Sequence, residues 1–182
     1  MKFYTPQLWK DWNSDDDSTR RTAIKQADMN AVEYKRQLDD LRIRLGETNY
    51  HFFLEEELHD GRLMAFIVGD AIDFDFYGDE NYDINEHNTS VRIRLIGPYM
   101  NILYTLDYSE VRRVVFDYMT DEPLFAVLGD HIGDWGYHEI SAPDDDCFEH
   151  EILFASGTSV RIEFKKFQFQ KAERSELKGR YK

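Results

Sequence analysis

Three of the six histidines stand directly before a carboxylate, a pairing that could carry acid–base or metal chemistry. The pairs are His59-Asp60, His138-Glu139 and His150-Glu151. Imidazole titrates near neutral pH and binds transition metals, so inward-facing histidines on neighbouring strands could form an acid–base pair or a metal site. The alternative is a set of core histidines held by hydrogen bonds, since no H-x-H, H-E-x-x-H or paired-cysteine motif accompanies them. The candidate residues for the functional interpretation are His59, Asp60, His138 and His150.

Other signatures of catalysis or ion binding are missing or incomplete. Residues 79–85 place oxygen ligands at alternate positions, like the start of a calcium loop. Ile84 stands where such a loop needs glycine, and Ser90 where it needs a bidentate glutamate, so we expect a solvated acidic loop. No nucleophile elbow, P-loop or G-x-G-x-x-G fingerprint occurs. The sequence favours a protein that is not an enzyme, and we expect no metal and no cofactor.

The C-terminal strands can be aligned from the alternation of apolar residues in 148–164. A three-residue loop at 155–157 places the apolar residues of both strands on one face, whereas a two-residue loop would set them against polar ones. This register predicts a left-handed Gly157. It also predicts that Glu151 faces Arg161 on the solvent side.

The register of this hairpin determines where the candidate histidines lie. It places His150 on the apolar face of its strand. A five-residue loop at 142–146 would then bring His138 directly opposite His150. Beyond Phe164 the alternation shifts by one residue, which predicts a β-bulge near Lys165–Lys166.

Alternation also predicts strands earlier in the chain. In 72–76 and 91–95, apolar residues alternate with charged ones, as in antiparallel strands with one solvated face. If these strands are neighbours, Asp73 and Asp75 face the arginines of the second strand. The segment 109–118 fits a helix by spacing and a strand by its valines, and we favour a strand.

Residues 1–57 have the patterning of helices. A threonine–proline pair at 5–6 is typical of a helix start. Ser14, followed by three aspartates, predicts the N-cap of a long helix that Gly46 ends. A further short helix is expected at about 49–57.

The long helix carries an apolar stripe with alternating spacings of three and four residues. Such a stripe packs either on the protein's own sheet or against a second copy of the chain. Its alanines are small and bury little area, which favours the protein's own sheet. The stripe consists of Ile24, Ala27, Ala31, Tyr34, Leu38, Leu41 and Leu45.

The order of these elements predicts an α+β protein, with N-terminal helices packed on a twisted antiparallel β-sheet or partly open barrel of about six to eight strands. At 182 residues the chain is long enough for one compact domain with its own core. Within it we distinguish a helical N-terminal segment at 1–57, an antiparallel β domain at 58–171 and a frayed basic tail at 172–182.

The chain is acidic, with a formal net charge of −14 at pH 7. Residues 51–160 carry 24 acidic and five basic side chains. Such a surface repels phosphate backbones, so we expect no nucleic-acid partner, and it attracts a basic protein. The alternative is acidity that only keeps the protein soluble. The candidate partner-binding residues are Asp144, Asp145 and Asp146.

Cysteine usage and hydropathy predict the compartment. A single cysteine, Cys147, excludes an intramolecular disulfide and fits a reducing environment. The three aspartates before it favour a structural thiol over a nucleophile. The N-terminus has no apolar signal region, and no apolar run reaches the length of a membrane span. We therefore predict a cytoplasmic protein without a membrane partner; the sequence does not determine its oligomeric state.

Three short motifs occur together: LHDG at 58–61, GDWGYHE at 133–139 and FEHEILF at 148–154. They resemble small uncharacterised bacterial proteins known as domains of unknown function, some of them similar to candidate immunity proteins of polymorphic-toxin loci. The resemblance covers residues 58–170 and brings no established catalytic residues. It implies an immunity-like interaction module that binds a basic partner, such as a nuclease toxin. The alternative is a small metal-dependent or acid–base enzyme built on the candidate histidines.

Overall fold

The structure, a computed structural model, describes residues 1–70, 89–118 and 132–173. These residues form three helices followed by eight strands, which confirms the predicted α+β class with its helices at the N-terminus. The helices are α1 (Pro6–Trp12), α2 (Asp17–Leu45) and α3 (Glu47–Glu55). The strands are β1 (Arg62–Asp70), β2 (Thr89–Ile96), β3 (Ile102–Ser109), β4 (Arg113–Asp117), β5 (Trp135–Ser141), β6 (Phe148–Phe154), β7 (Ser159–Phe164) and β8 (Lys166–Glu173). The predicted strand at 72–76 and the calcium-like loop at 79–85 lie outside the described residues.

The first two helices begin and end at residues whose chemistry favours helix termini. The Thr5 hydroxyl accepts a hydrogen bond from the third residue of α1 at 3.2 Å, as predicted for its cap. The predicted cap of α2 is wrong, because Asp16 rather than Ser14 accepts the N–H of Thr19, at 2.8 Å. A carboxylate interacts more favourably than a hydroxyl with the positive end of the helix dipole. Gly46, with φ of +74°, follows the last residue of α2 as predicted.

Helix α2 packs on the β-strands of its own chain. The Tyr34 hydroxyl accepts the N–H of Ile140 in β5 at 3.0 Å, and the Gln37 amide donates to the Ile140 carbonyl at 2.9 Å. Of the two alternatives for the apolar stripe, the structure therefore has the protein's own sheet. The buried apolar residues of α2 are Ala23, Ala27, Leu38, Leu41 and Leu45.

Strands β1, β2, β3 and β8 form the first antiparallel sheet, here sheet I, in the order β1-β2-β3-β8. The alternation in 91–95 is confirmed, since its three apolar residues are buried. On the opposite face, Arg92 donates to Asp107 of β3, with Nε and Oδ1 2.5 Å apart. Asp73 and Asp75, the predicted partners of the β2 arginines, lie outside the described residues.

Strands β4 to β7 form the second antiparallel sheet, here sheet II, in the order β4-β7-β6-β5. The predicted register of β6 and β7 is confirmed, because Glu151 faces Arg161 and Gly157 in the connecting loop has φ of +88°. Residues 113–117 form β4, which confirms the strand interpretation of the segment 109–118.

The chain passes from sheet II to sheet I after β7. The predicted β-bulge near Lys165–Lys166 is wrong, because β8 begins at Lys166 and pairs with β3 of the other sheet. At this crossing the Lys165 amide donates to the Ser109 carbonyl at 3.4 Å. A β-bulge and a passage to the other sheet both shift the alternation of apolar residues by one position, so the sequence does not distinguish them.

The inner faces of both sheets, together with α2 and α3, contribute to one hydrophobic core. The two sheets do not close into a barrel. Within the described ranges, no helix is both long and apolar enough to cross a membrane. His150 lies fully buried within this core, and His138 lies half-buried at its edge.

Candidate functional site

Two of the candidate histidines and a tyrosine form a hydrogen-bonded chain that runs from the core to the half-buried His138. The Tyr108 hydroxyl on β3 lies 2.7 Å from Nδ1 of His150 on β6. Nε2 of His150 lies 2.9 Å from Nδ1 of His138 on β5. Tyr108 and His150 are 1% and 0% exposed. The chain therefore joins sheet I to sheet II through buried side chains.

The two histidines meet diagonally across the sheet. The prediction that His150 lies on the apolar face is confirmed by its complete burial. The prediction that His138 lies directly opposite is wrong, because His138 pairs with Ile152, and His150 pairs with Ile140. Diagonal neighbours in a sheet remain within reach of ring side chains, so the hydrogen bond forms despite the shifted register.

The loop between β5 and β6 explains the shift. Strand pairing closes at Ser141 and Glu149, which leaves seven residues between the paired ends, including the first residue of β6, instead of the five predicted. Within it, Oδ1 of Asp144 accepts the N–H groups of Asp146 and Cys147, both at 2.8 Å. This local turn stabilises the longer loop.

Aromatic side chains surround the two rings. Phe53 contacts His150 edge to face with ring centroids 5.1 Å apart, and Trp135 contacts His138 at 5.6 Å. Burial lowers the pKa of His138 to about 4. Burial, together with the neighbouring His138, lowers the pKa of His150 well below its ordinary value. Both rings are therefore neutral at neutral pH.

Because each neutral ring carries one N–H, the hydrogens along the chain can be assigned by counting donors. If Tyr108 donates to Nδ1 of His150, then Nε2–H of His150 donates to Nδ1 of His138, and His138 carries its hydrogen on Nε2. The reverse order leaves the buried Tyr108 hydroxyl without an acceptor among the described residues, which costs about 1–3 kcal/mol. Burial raises the pKa of Tyr108 well above its ordinary value, so the hydroxyl keeps its proton. We therefore assign the Nε2–H tautomer to His138.

His138 lies on the wall of a pocket of about 390 Å³ between α2, α3 and β5. Its Nε2 has no hydrogen-bond partner within the described part of the chain, so it is available to a molecule in the pocket. Charged side chains also line the pocket, namely Lys35, Glu56 and Glu57. The aromatic and larger aliphatic residues of the lining are Tyr4, Tyr34, Leu38, Phe53, Leu54, Leu58 and Tyr137.

His59 lines the same pocket but does not join the hydrogen-bonded chain. Its Nδ1 donates to the Gly136 carbonyl at 2.8 Å, and its ring packs on Tyr137 with centroids 5.0 Å apart. Asp60 lies 3.5 Å from Nε2 of His59 and has a largely exposed side chain. Among the residues that the structure describes, no group of three histidine, cysteine or acidic side chains is placed to hold a metal ion. The structure thus brings together His138 and His150 but not the full candidate set.

The glutamates that follow His138 and His150 turn to the opposite face of their strands, because successive side chains of a strand alternate. Glu139 is 4% exposed and accepts the backbone N–H groups of residues 2–4 at 2.6–2.8 Å. Its role is therefore to anchor the N-terminal segment on sheet II. Sequence analysis missed this role, since nothing in the local sequence indicates which backbone groups a buried carboxylate binds.

The three candidate partner-binding aspartates have different environments. Oδ2 of Asp144 accepts a hydrogen bond from Arg112 at 2.6 Å. This bond and those from the loop amides hold the pKa of Asp144 below its usual range. Asp145 and Asp146 are exposed, and their side chains have no ion-pair partner among the described residues. Only these two are free to contact another molecule.

Two strand glutamates extend this acidic surface. Glu149 of β6 lies directly opposite Glu163 of β7, on the face of sheet II that points away from the core. Partial burial raises the pKa of Glu149, and the carboxylates of Glu151 and Glu163 raise it further against the opposing effects of Arg161 and the N-terminal ammonium. No cation of the described ranges lies within ion-pair distance of Glu149. Glu163 itself lies 3.4 Å from the Arg113 guanidinium of β4. The acidic patch is defined here as Asp145, Asp146, Glu149 and Glu163.

Comparison with known proteins assigns no family to the chain. No protein-family model matches it, and no curated protein matches it. Its function is therefore inferred from the geometry and charge of the described residues.

Proposed function

We propose that this chain is a non-enzymatic interaction module that binds a basic protein partner through the acidic patch. In the most specific form of the proposal, the module is immunity-like and occludes a basic partner such as a nuclease toxin. The observation that carries the proposal is the position of Glu149. It lies opposite Glu163, which is itself paired with Arg113, and its own carboxylate has no cation of the described residues within ion-pair distance.

Glu149 supports the proposal because its position is unfavourable in the free protein. Like charges directly opposite each other on neighbouring strands are destabilising. Proteins retain such unfavourable groups where function requires them, and here a cationic side chain of a partner would supply the missing charge. Asp145 and Asp146 lie on the loop that leads into the same strand, so one basic surface could contact all of them.

The loop that carries Asp145 and Asp146 is fixed by hydrogen bonds from two arginines. Arg112 binds Asp144 on one side, and the Arg44 guanidinium donates to the Asp144 and Cys147 carbonyls at 3.0 and 3.1 Å. A loop ordered before binding loses less conformational entropy when the partner arrives. The acidity of the patch also argues against a nucleic-acid partner.

A capture experiment at low salt tests the proposal. The wild-type chain, D145N/D146N and D28N/D40N serve as immobilised baits; Asp28 and Asp40 are exposed on α2 and have no ion-pair partner among the described residues. The two variants therefore lose equal charge at different surfaces. We expect wild type and D28N/D40N to retain the same basic protein and D145N/D146N to lose it. Retention of no basic protein, or equal retention by both variants, would contradict the proposal.

A second candidate is a small acid–base or metal-dependent enzyme that uses His59, His138 and His150. It is favoured by one observation, the free Nε2 of His138 on the wall of a pocket that His59 also lines. Metal analysis of purified protein distinguishes the metal-dependent form. Stoichiometric zinc that is lost in His138→Gln but kept in the exposed His51→Gln would support it. Zinc-free protein after purification from zinc-supplemented cells would contradict it.

A further inference from the structure

We infer that the pocket beside His138 binds a flat, uncharged aromatic molecule that carries a hydrogen-bond acceptor, and that Nε2–H of His138 is the donor that binds this acceptor. The acceptor is a carbonyl oxygen or an unprotonated ring nitrogen. This inference is independent of the acidic patch, which lies on the outer face of sheet II.

The size and lining of the pocket define the shape of the ligand. A volume of about 390 Å³ lies within the range of small-molecule sites. Tyr4 and Tyr137 stack with ring centroids 4.9 Å apart and planes 5° from parallel, and Tyr34 and Phe53 add two more rings to the wall. Aromatic walls favour a flat aromatic guest, which can stack or pack edge to face.

The hydrogen-bonded chain defines the polarity of the contact. Tyr108 fixes the tautomer of His150, and His150 fixes the tautomer of His138, so that His138 offers a donor and not an acceptor to the pocket. His138 is also neutral, so its N–H is suited to a neutral acceptor. A polar atom on the wall of a mainly apolar pocket provides orientation and specificity for the guest.

The charges around the pocket exclude an anionic ligand. Glu56 and Glu57 both line it. The one lysine of the lining, Lys35, is already bound to Asp39 at 2.9 Å. Lys171 binds Glu56, whereas Glu57 has no ion-pair partner among the described residues. A carboxylate or phosphate would therefore meet the Glu57 carboxylate without a free cation of the lining to bind it.

A matched pair of probes tests the inference. Acetophenone and α-methylstyrene have the same shape, but only acetophenone carries an acceptor, and benzoate adds a negative charge. Each is titrated into isotope-labelled wild-type protein and followed by amide and imidazole NMR signals. We expect acetophenone to shift the signals of His138, Phe53 and Tyr137 and to bind about two- to tenfold more tightly than α-methylstyrene, which is the contribution of one neutral hydrogen bond. Benzoate should bind most weakly.

The variant Tyr108→Phe tests the role of the hydrogen-bonded chain. It leaves the pocket wall unchanged, since Tyr108 does not line the pocket. Removing the hydroxyl frees His150 to take either tautomer, so acetophenone should lose its advantage over α-methylstyrene while α-methylstyrene binds as before. Tyr108 is thus a positioning residue. If the variant does not fold, the ring nitrogen chemical shifts of His138 and His150 in the wild-type protein still report their tautomers and so test the inference.

Three results would overturn the inference. The first is equal affinity of wild type for acetophenone and α-methylstyrene. The second is a hydrogen on Nδ1 instead of Nε2 of His138. The third is the lack of any shift at His138, Phe53 and Tyr137 at millimolar acetophenone.

Discussion

At the scale of single residues, environment rather than sequence neighbourhood decides what each histidine does. The His–acid pairs suggested dyads, but strand alternation separates Glu139 from His138 and directs it to the N-terminal backbone. The partner of the buried histidines is instead Tyr108, distant in sequence and brought close by the packing of sheet I on sheet II. The alternation of β3 indicates that Tyr108 is buried, yet it does not indicate which ring it meets.

The variant Tyr108→Phe is expected to destabilise the protein by about 1–3 kcal/mol, because it leaves the buried Nδ1 of His150 without a donor. Urea unfolding of the variant and wild type at pH 7 measures the change. Tyr99→Phe is the control, since Tyr99 is 77% exposed. Equal effects of the two substitutions would show that the buried hydroxyl contributes no hydrogen bond to stability.

Acid should destabilise the protein through the buried histidines. The pKa of His138 is about 4 in the folded chain and lies near 6.5 when the chain is unfolded, so the unfolded chain binds more protons between these values. Stability is therefore complete above pH 6.5 and is lost as the pH falls toward 4. For His138 the loss between pH 7 and pH 5 is about 2 kcal/mol.

Urea unfolding at pH 7 and pH 5 tests this dependence. In His138→Phe, the loss of unfolding free energy between pH 7 and pH 5 should be smaller by the roughly 2 kcal/mol that His138 contributes. In the control His51→Gln, which replaces an exposed histidine, this loss should be unchanged. A wild-type stability that is equal at both pH values would contradict the assignment of neutral, buried rings.

At the scale of elements, the sequence predicted the strand registers that depend only on residues close together in the chain. The β6–β7 register followed from alternation and one left-handed glycine, Gly157. The β5–β6 register could not be predicted, because the length of that loop depends on bonds from Asp144 to backbone amides. The sequence could not distinguish the passage of β8 to the other sheet from a β-bulge, since both shift the alternation of apolar residues by one position.

The start of α2 gives a direct test at this scale. Asp16→Ala removes the acceptor for the Thr19 amide and should lower the melting temperature by a few degrees, whereas Ser14→Ala should change it less. Circular dichroism during heating measures both. A larger effect at Ser14 than at Asp16 would restore the cap predicted from the sequence.

At the scale of the whole molecule, the net charge of −14 predicts a basic partner but does not indicate which carboxylates would meet it. Asp144 belongs to the predicted acidic run, yet it is bound internally by Arg112. Glu149 and Glu163 join the acidic patch only through strand pairing, which the charge count alone does not contain. Only the fold separates Asp145, Asp146 and Glu149, which have no ion-pair partner among the described residues, from Asp144 and Glu163, which arginines bind.

Neutralising Glu149 and neutralising Glu151, two glutamates on the same face of β6, should have different effects on the melting temperature. Glu149→Gln removes repulsion from Glu163 and should leave the melting temperature unchanged or higher. Glu151→Gln removes a carboxylate that lies 3.4 Å from Arg161 and should lower it. A clear loss of stability in Glu149→Gln would mean that its carboxylate has a stabilising contact in the free protein.

The most direct test of the interaction proposal is the affinity of the captured basic partner, measured by calorimetry at low and high salt. We expect D145N/D146N to bind at least about tenfold more weakly than wild type, D28N/D40N to bind like wild type, and wild-type affinity to fall steeply with salt. Affinity that is insensitive to salt, or equally weakened in both double variants, would contradict binding through the acidic patch.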